Sequence, residues 1–479
     1  MKKSLLFLSL WGLVGSAHAQ SLGPWTEVNI ENPATFAPGY LVTDVKTVSS
    51  TVAWAVVASV ATEIPNAFLR TSNASGDRFY LDAISATNST ADFQAGNISS
   101  VNATVAVAAM YSAVGDAGGE ILRTANGGLS WTKVTTAADF NASKNGFVNF
   151  VHMFDATEGV ALGDPTDGYF EILRTTDGGL TWNRLPQSSV PPVLNASEFG
   201  NARSFFARGN TIWAGLASSS PANAVRVLKS TDRGLTWTAS MATPLRRVVT
   251  RLAFKDDLNG IAYNSQTTGA GAAVNVIRTT DGGANWTTIS PVNGAGGSFF
   301  TYDIDAADGR YFSTGERFPF SSTPQNADFG SSYSTDGITW TNLNSGLPFN
   351  AFDIIGSSSA TSVVGYAGLG TDENGVGGLF KGNGTLLATR DAALQRALTV
   401  YPNPSASGLF KVDLGGTLKA GAQLSVVDVL GRQVLAQTLS AAAVGAKSVN
   451  LNLSNEKAGV YTLQIRTDAG IATQKLVIQ

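Results

Sequence analysis

The chain contains no cysteine and only two histidines. Without cysteine there is no disulfide framework, no thiolate zinc site and no cysteine nucleophile. Two histidines cannot furnish a histidine-rich metal centre, and they leave little material for the imidazole base that a serine triad requires. Charge is scarce as well: 14% of the 479 residues are charged, against about 25% in an average soluble domain. The formal net charge of −3 excludes the basic surface with which proteins hold nucleic acid. Beyond the N-terminus no apolar run approaches the roughly 18 residues of a membrane-spanning helix. No phosphate-binding loop and no Gly-x-Gly-x-x-Gly after a strand is present, so neither a cofactor nor a metal is expected.

What is there builds a core from short pieces. Hydrophobic residues make up 43% of the chain, which excludes general disorder, and 51 glycines favour short strands and tight turns. At the N-terminus Lys2 and Lys3 precede an apolar run over residues 5–14, and Ala17, His18 and Ala19 form an A-x-A cleavage position. This order predicts a secretory signal peptide over residues 1–19. Its removal takes His18 with it and leaves His152 as the one histidine of the mature chain.

An octapeptide recurs through the middle of the chain. Thr-Ala-Asn-Gly-Gly-Leu-Ser-Trp ends at Trp131, Thr-Thr-Asp-Gly-Gly-Leu-Thr-Trp at Trp182 and Ser-Thr-Asp-Arg-Gly-Leu-Thr-Trp at Trp237. Thr-Thr-Asp-Gly-Gly-Ala-Asn-Trp ends at Trp286, and a copy one residue shorter, Ser-Thr-Asp-Gly-Ile-Thr-Trp, ends at Trp340. The tryptophans lie 51, 55, 49 and 54 residues apart, and a steady period of about 50 residues signals a solenoid or a propeller. The same step taken backwards from Trp131 reaches Phe79 and then Trp25, which makes seven aromatic slots. Residues 147–154, 160–163, 171–175 and 181–185 read as four short strands separated by turns, the meander of a propeller blade. Asn126, Asp177, Asp232, Asp281 and Asp336 share one place in the turn, where a side-chain oxygen can accept hydrogen bonds from turn amides. The tryptophans have rings large enough to fill the space between neighbouring blades.

These octapeptides resemble the Asp-box, or BNR, repeat, and the longer pattern around them is similar to propellers related to the photosystem II assembly factor. The resemblance implies an all-β, seven-bladed β-propeller over residues 21–385, in which the turn aspartates and tryptophans are structural. Asn126, Arg233 and Phe79 depart from the repeat pattern. Residues 351–355, 363–367 and 378–381 begin a last blade that lacks a fourth strand, while residues 25–28 look like an outer strand with no blade before it. Pairing the two predicts a closed ring without open sheet edges.

Composition changes after residue 385. Residues 386–397 read as a linker, and residues 398–479 alternate short strands with turns as a small immunoglobulin-like β-sandwich does. Tyr401-Pro-Asn-Pro, Val427-Asp-Val-Leu-Gly-Arg, Gly459-Val-Tyr and the terminal Gln474-Lys-Leu-Val-Ile-Gln resemble the type A C-terminal sorting domain of the type IX secretion system. The resemblance implies handling by that machinery as a partner. It also implies delivery to the outer surface of a Gram-negative bacterium or to the medium.

Candidate chemistry is sparse. His152 occupies an alternating position of an innermost strand, with no Gly-x-Ser-x-Gly elbow, and reads as a core or channel side chain. Arg70, Arg123, Arg174 and Arg278 each precede an octapeptide, with Lys229 in the same place of its copy; they read as blade-surface residues. The early Phe/Tyr-Arg-Ile-Pro of Asp-box sialidases is absent, and one propeller rather than two argues against the Asp-box xyloglucanases. Aligned blades put Asp116, Asp164 and Glu316 at the end of the second strand, facing one mouth of the ring. Two carboxylates about 5–9.5 Å apart would suit glycoside hydrolysis, and the same residues serve equally as turn caps or ligand contacts. Blade lengths leave little room for long active-site loops, which favours binding of a glycan or protein ligand at this face without turnover. A secreted, sialidase- or xyloglucanase-like glycoside hydrolase is the alternative.

Overall fold

The computed structural model describes residues 25–31, 39–60, 62–86, 93–112, 118–266, 273–292, 297–317, 328–356, 364–371, 377–382, 397–414, 422–428, 433–440, 442, 445–467 and 470–479. The signal sequence and nearly all of the linker expected from the sequence lie outside these residues. The chain divides into two compact units, the second beginning at residue 385.

The first unit is a seven-bladed β-propeller. Blade 3 shows the pattern: Val148–Met153, Gly159–Thr166, Tyr169–Thr175 and Asn183–Arg184 form an antiparallel meander. Four more such sheets make blades 2, 4, 5 and 6. The innermost strands of blades 1 to 7 are Tyr40–Thr47, Phe93–Ser100, Val148–Met153, Glu198–Arg208, Arg251–Phe254, Asp303–Ala307 and Ala351–Ile354. Blade 7 takes its fourth strand from the other end of the chain. Trp25–Glu27 pairs antiparallel with Gly377–Gly382, and Asn29–Glu31 then lies parallel to Arg78–Ala83 on blade 1. One short segment therefore fastens blade 7 to blade 1 and covers two sheet edges.

Each octapeptide folds the same way. In blade 3 Thr175 Oγ1 donates to Asp177 Oδ1 at 2.8 Å and accepts from Gly179 N at 2.9 Å. Asp177 also accepts from the Thr181 amide and hydroxyl at 3.0 and 2.6 Å. Gly178 and Gly179 hold φ of 76° and 81°, a region that a side chain disfavours. The turn aims the following tryptophan backwards. Trp182 joins Val107 and Ala109 of blade 2 in one core, Trp237 joins Val160 and Leu162 of blade 3, and Trp340 joins Ile261 and Tyr263 of blade 5. Trp131 lies 5.7 Å from Phe68 of blade 1.

The basic residues before the octapeptides point the other way round the ring. Arg123 Nε donates to Gly178 O at 2.8 Å, Arg174 Nε to Arg233 O at 3.3 Å, and Arg278 to Asp336 O at 3.3 Å. Arg70 Nε reaches Gly127 O, and Lys381 Nζ reaches Ser75 O. Each of these five bonds a carbonyl in the turn of the next blade, whereas Lys229 lies over the Trp213 ring at 5.5 Å.

The second unit is a β-sandwich with its own core. Thr399–Tyr401, Leu409–Asp413 and Ser448–Asn452 form one sheet. Gln433–Thr438, Gln423–Asp428, Gly459–Thr467 and Gly470–Ile478 form the other. Phe410, Val412, Leu424, Val426, Leu463 and Leu476 are buried between them. Among the described residues no helix is long and apolar enough to cross a membrane.

Candidate functional site

The seven innermost strands surround a cavity of about 360 Å³ along the propeller axis. An innermost strand has a sheet on one side only, so half of its backbone groups need partners from elsewhere. Side chains of the preceding blade supply them. Asp44 accepts from Ile98 N at 2.9 Å, Asn97 from Val151 N at 3.0 Å and Ser99 from Met153 N at 2.9 Å. Across the ring Asp303 accepts from Phe352 N at 3.2 Å, Asp305 from Ile354 N at 2.5 Å and Asp353 from Thr47 N at 2.5 Å. Polar residues that line the axis are thus fasteners between blades.

Charges in this cavity are arranged in opposed groups. Lys46 Nζ pairs with Asp353 at 3.0 Å, and Arg251 Nε with Asp303 at 3.3 Å. Burial pushes the Asp44 carboxyl up to about 6, against the pull of Arg203 and the Ile98 amide. Burial likewise raises Asp303, with Arg251 and Arg203 opposing it. Asp305 is held well above the usual carboxylate range by burial and by the neighbouring charge of Asp353. His152 is pushed down to about 3 by burial and by Lys46, so its imidazole is neutral across the physiological range. Its ring sits edge-on to Phe154 at 4.7 Å and to Phe205 at 5.9 Å.

Blade 4 breaks the pattern of the ring. Its innermost strand, Glu198–Arg208, is 11 residues long, and its register with Thr211–Ser218 slips between Gly200↔Leu216 and Phe205↔Ala214. Residues 201–204 therefore bulge, and Arg203 stands at φ 58°, an uncommon conformation for a bulky side chain. Asn201 Nδ2 and Ser204 Oγ each donate to Val249 O at 2.8 Å and fix the bulge. A Cβ at Gly215 would collide with Ser204 Oγ and with Val249, so the bulge needs glycine opposite it. Arg203 lines the cavity.

Of the carboxylates singled out from sequence, the described ones are buried. Asp164 is 3% exposed; it accepts from Asn149 Nδ2 at 3.0 Å and from Gly200 N at 3.1 Å, next to the bulge. Glu316 is 6% exposed, and Tyr302 Oη, one residue before Asp303, lies 3.4 Å from it. Asp116 lies outside the described residues. Asp164 and Glu316 are thus buried acceptors inside blades 3 and 6. The residues that face the cavity were not singled out, apart from His152. Polar alternation in an innermost strand reads as ordinary solvent exposure, and a bulge erases the period of two. The available signal was length: the tryptophan spacing across blade 4 is 55 residues, the longest of the four.

Residues 399–479 match the family described as the secretion system C-terminal sorting domain. The C-terminal sandwich is a sorting domain of the type IX kind, which marks the chain for secretion to the cell surface or the extracellular space. No curated protein matches the chain. Similar solved structures include YCF48 from Cyanidioschyzon merolae, 16% identical with a TM-score of 0.47, covering 75% of this chain and 98% of that one. The GH74 enzyme of Niastella koreensis is 15% identical with a TM-score of 0.43, covering 91% of this chain and 66% of that one. PorZ, a bacterial surface component of the type-IX secretion system of Porphyromonas gingivalis, is 9% identical with a TM-score of 0.17, covering 91% and 81%. At these identities no ligand or activity carries over to this chain.

Proposed function

We propose that this protein is a binding propeller, delivered to the outer surface of a Gram-negative bacterium or released from it, that holds a glycan or protein ligand at its axial cavity without turning it over. One observation carries the reading. Asp44, Asp303, Asp305 and Asp353 each hold a backbone amide of the next blade. A carboxylate fixed in that way cannot swing between acid and base without loosening the ring. Asp164 and Glu316 brace the mouth in this reading, and the octapeptide turns keep the blades in register, as the Asp-box resemblance implies.

The second reading, a secreted glycoside hydrolase, has one observation in its favour. Burial and the neighbouring charge of Asp353 raise Asp305 well above its ordinary range inside a cavity, as a catalytic acid would be. A glycan array probed with the mature protein, with hydrolysis followed on every hit, separates the two. Capture without turnover is expected. Turnover that Asp305→Asn or Asp353→Asn abolishes while binding persists would overturn the binding reading.

A further inference from the structure

Arg203 differs from the other cavity cations. Lys46 and Arg251 each have a carboxylate partner. Among the described residues Arg203 closes no ion pair and no hydrogen bond, although Asp44 and Asp303 lie near enough to act on its charge. Its five N–H donors form a planar fork, and the bulge that carries it is held by Asn201 and Ser204. A non-glycine residue in the left-handed region is strained, and such outliers persist where the surroundings impose them. Here Asn201, Ser204 and Gly215 impose it. A guanidinium that closes no ion pair at the wall of a cavity, carried on a fixed stretch of backbone, suits a planar anion that arrives from outside.

We propose that Arg203 anchors a carboxylate subsite in the axial cavity, and that the group it takes is the carboxylate of an acidic sugar residue. The proposal rests on the binding reading above and names its ligand class. A fork of two parallel N–H donors matches a carboxylate bidentately. Two features favour a sugar acid over a peptide carboxyl terminus. Peptide main chain is recognised largely through backbone hydrogen bonds. The amides of Thr47, Ile98, Val151, Met153, Phe352 and Ile354 are already taken by side chains of neighbouring blades. Recognition is therefore left to side chains: the fork of Arg203 and the half-buried rings of Phe205 and Phe206, which line the same cavity. A volume of about 360 Å³ lies at the small end of ligand pockets, about 300–1,000 Å³, and suits one or two sugar residues.

The test uses the full chain and three probes: a short oligogalacturonate, its methyl ester, and a peptide with a free carboxyl terminus. Wild-type protein is expected to bind the acid at least tenfold more tightly than the ester or the peptide. Arg203→Gln should remove about tenfold to a hundredfold of that affinity, the worth of a charge-assisted pair. Arg203→Lys, which keeps the charge and loses the fork, should fall between. Arg203→Gly relieves the backbone conformation, so it should melt no lower than wild type while losing the acid, which separates ligand contact from folding. Equal binding of acid and ester, no binding of the acid, or a preference that survives Arg203→Gln and Arg203→Gly would overturn the subsite. A peptide held as tightly as the acid through Arg203 would overturn the sugar assignment. Hydrolysis of the bound acid would overturn the binding reading and leave the subsite standing. Binding of neutral glycans alone would leave that reading intact and remove this one.

Discussion

At the scale of single residues, two kinds of aspartate carry opposite pH signatures. Burial raises Asp44 from 3.8 to about 6. The folded state then holds the proton more tightly than the unfolded state, so the stabilisation it gives is complete below about pH 4 and is lost as pH rises through 6. Asp44→Asn keeps the acceptor for Ile98 N and removes the ionisation. It should be more stable than wild type by on the order of 2 kcal/mol at pH 8, with the gap narrowing towards pH 4. Parallel pH–stability curves in chemical denaturation would count against this assignment. Asp177 behaves the other way. Burial opposes ionisation, but bonds from Thr181, Thr175 and Leu180 outweigh it and hold the carboxyl down to about 2. Its contribution is present above about pH 4 and is lost as pH falls through 2. Asp177→Ala should cost about 1–2 kcal/mol at neutral pH. Asp177→Asn should cost much less, because Asn126 already serves its own turn, accepting from Ser130 N at 3.0 Å and donating to Ser130 Oγ at 2.9 Å. An Asn variant as unstable as the Ala variant would show that charge, not hydrogen bonding, holds the turn.

At the scale of strands and blades, legibility followed local repetition. The octapeptide combines a turn, a hydrogen-bond acceptor and a tryptophan within eight residues. Its turn is local, so the blade count could be read from spacing, and the closure from a last blade one strand short and an N-terminal strand with no blade before it. The axial wall is different in kind. Asp44, Asp303 and Asp353 acquire their meaning from amides one blade away. Asp353 and Thr47 are more than 300 positions apart in the chain, and no window on the sequence brings such partners together. Asp164 and Glu316 were found by alignment of blades, yet their burial depends on packing that alignment does not contain. The closing strand allows a direct check. Trp25 is 3% exposed and lies 5.2 Å from Phe349. Deleting residues 25–31 removes this ring and opens the Gly377–Gly382 edge. The loss should be at least about 3–5 kcal/mol, the cost of truncating a buried aromatic, with self-association through the open edge. A deletion variant that melts with wild type and stays monodisperse in sedimentation would show that the ring closes otherwise.

At the scale of the whole molecule, the sorting domain and the axial cavity belong to different units. The sorting sandwich has its own core from Leu398 to Ile478, and residues 399–479 carry the family match. The described residues that line the axial cavity belong to the propeller. A unit with a separate core can be removed or transplanted without dismantling the other, provided no shared core is cut. Two consequences can be measured in a host with type IX secretion. A chain ending before Tyr401 should fold, resist proteolysis and remain inside the envelope, while the full chain appears at the surface or in the medium. Residues 385–479 fused behind a signal peptide and an unrelated folded reporter should send that reporter outside. Secretion of the truncated chain at the level of the full one would move the address into the propeller. Retention of the reporter, with the full chain secreted from the same cells, would show that the sandwich needs the propeller to be recognised, and the separation of address from binding would fall with it.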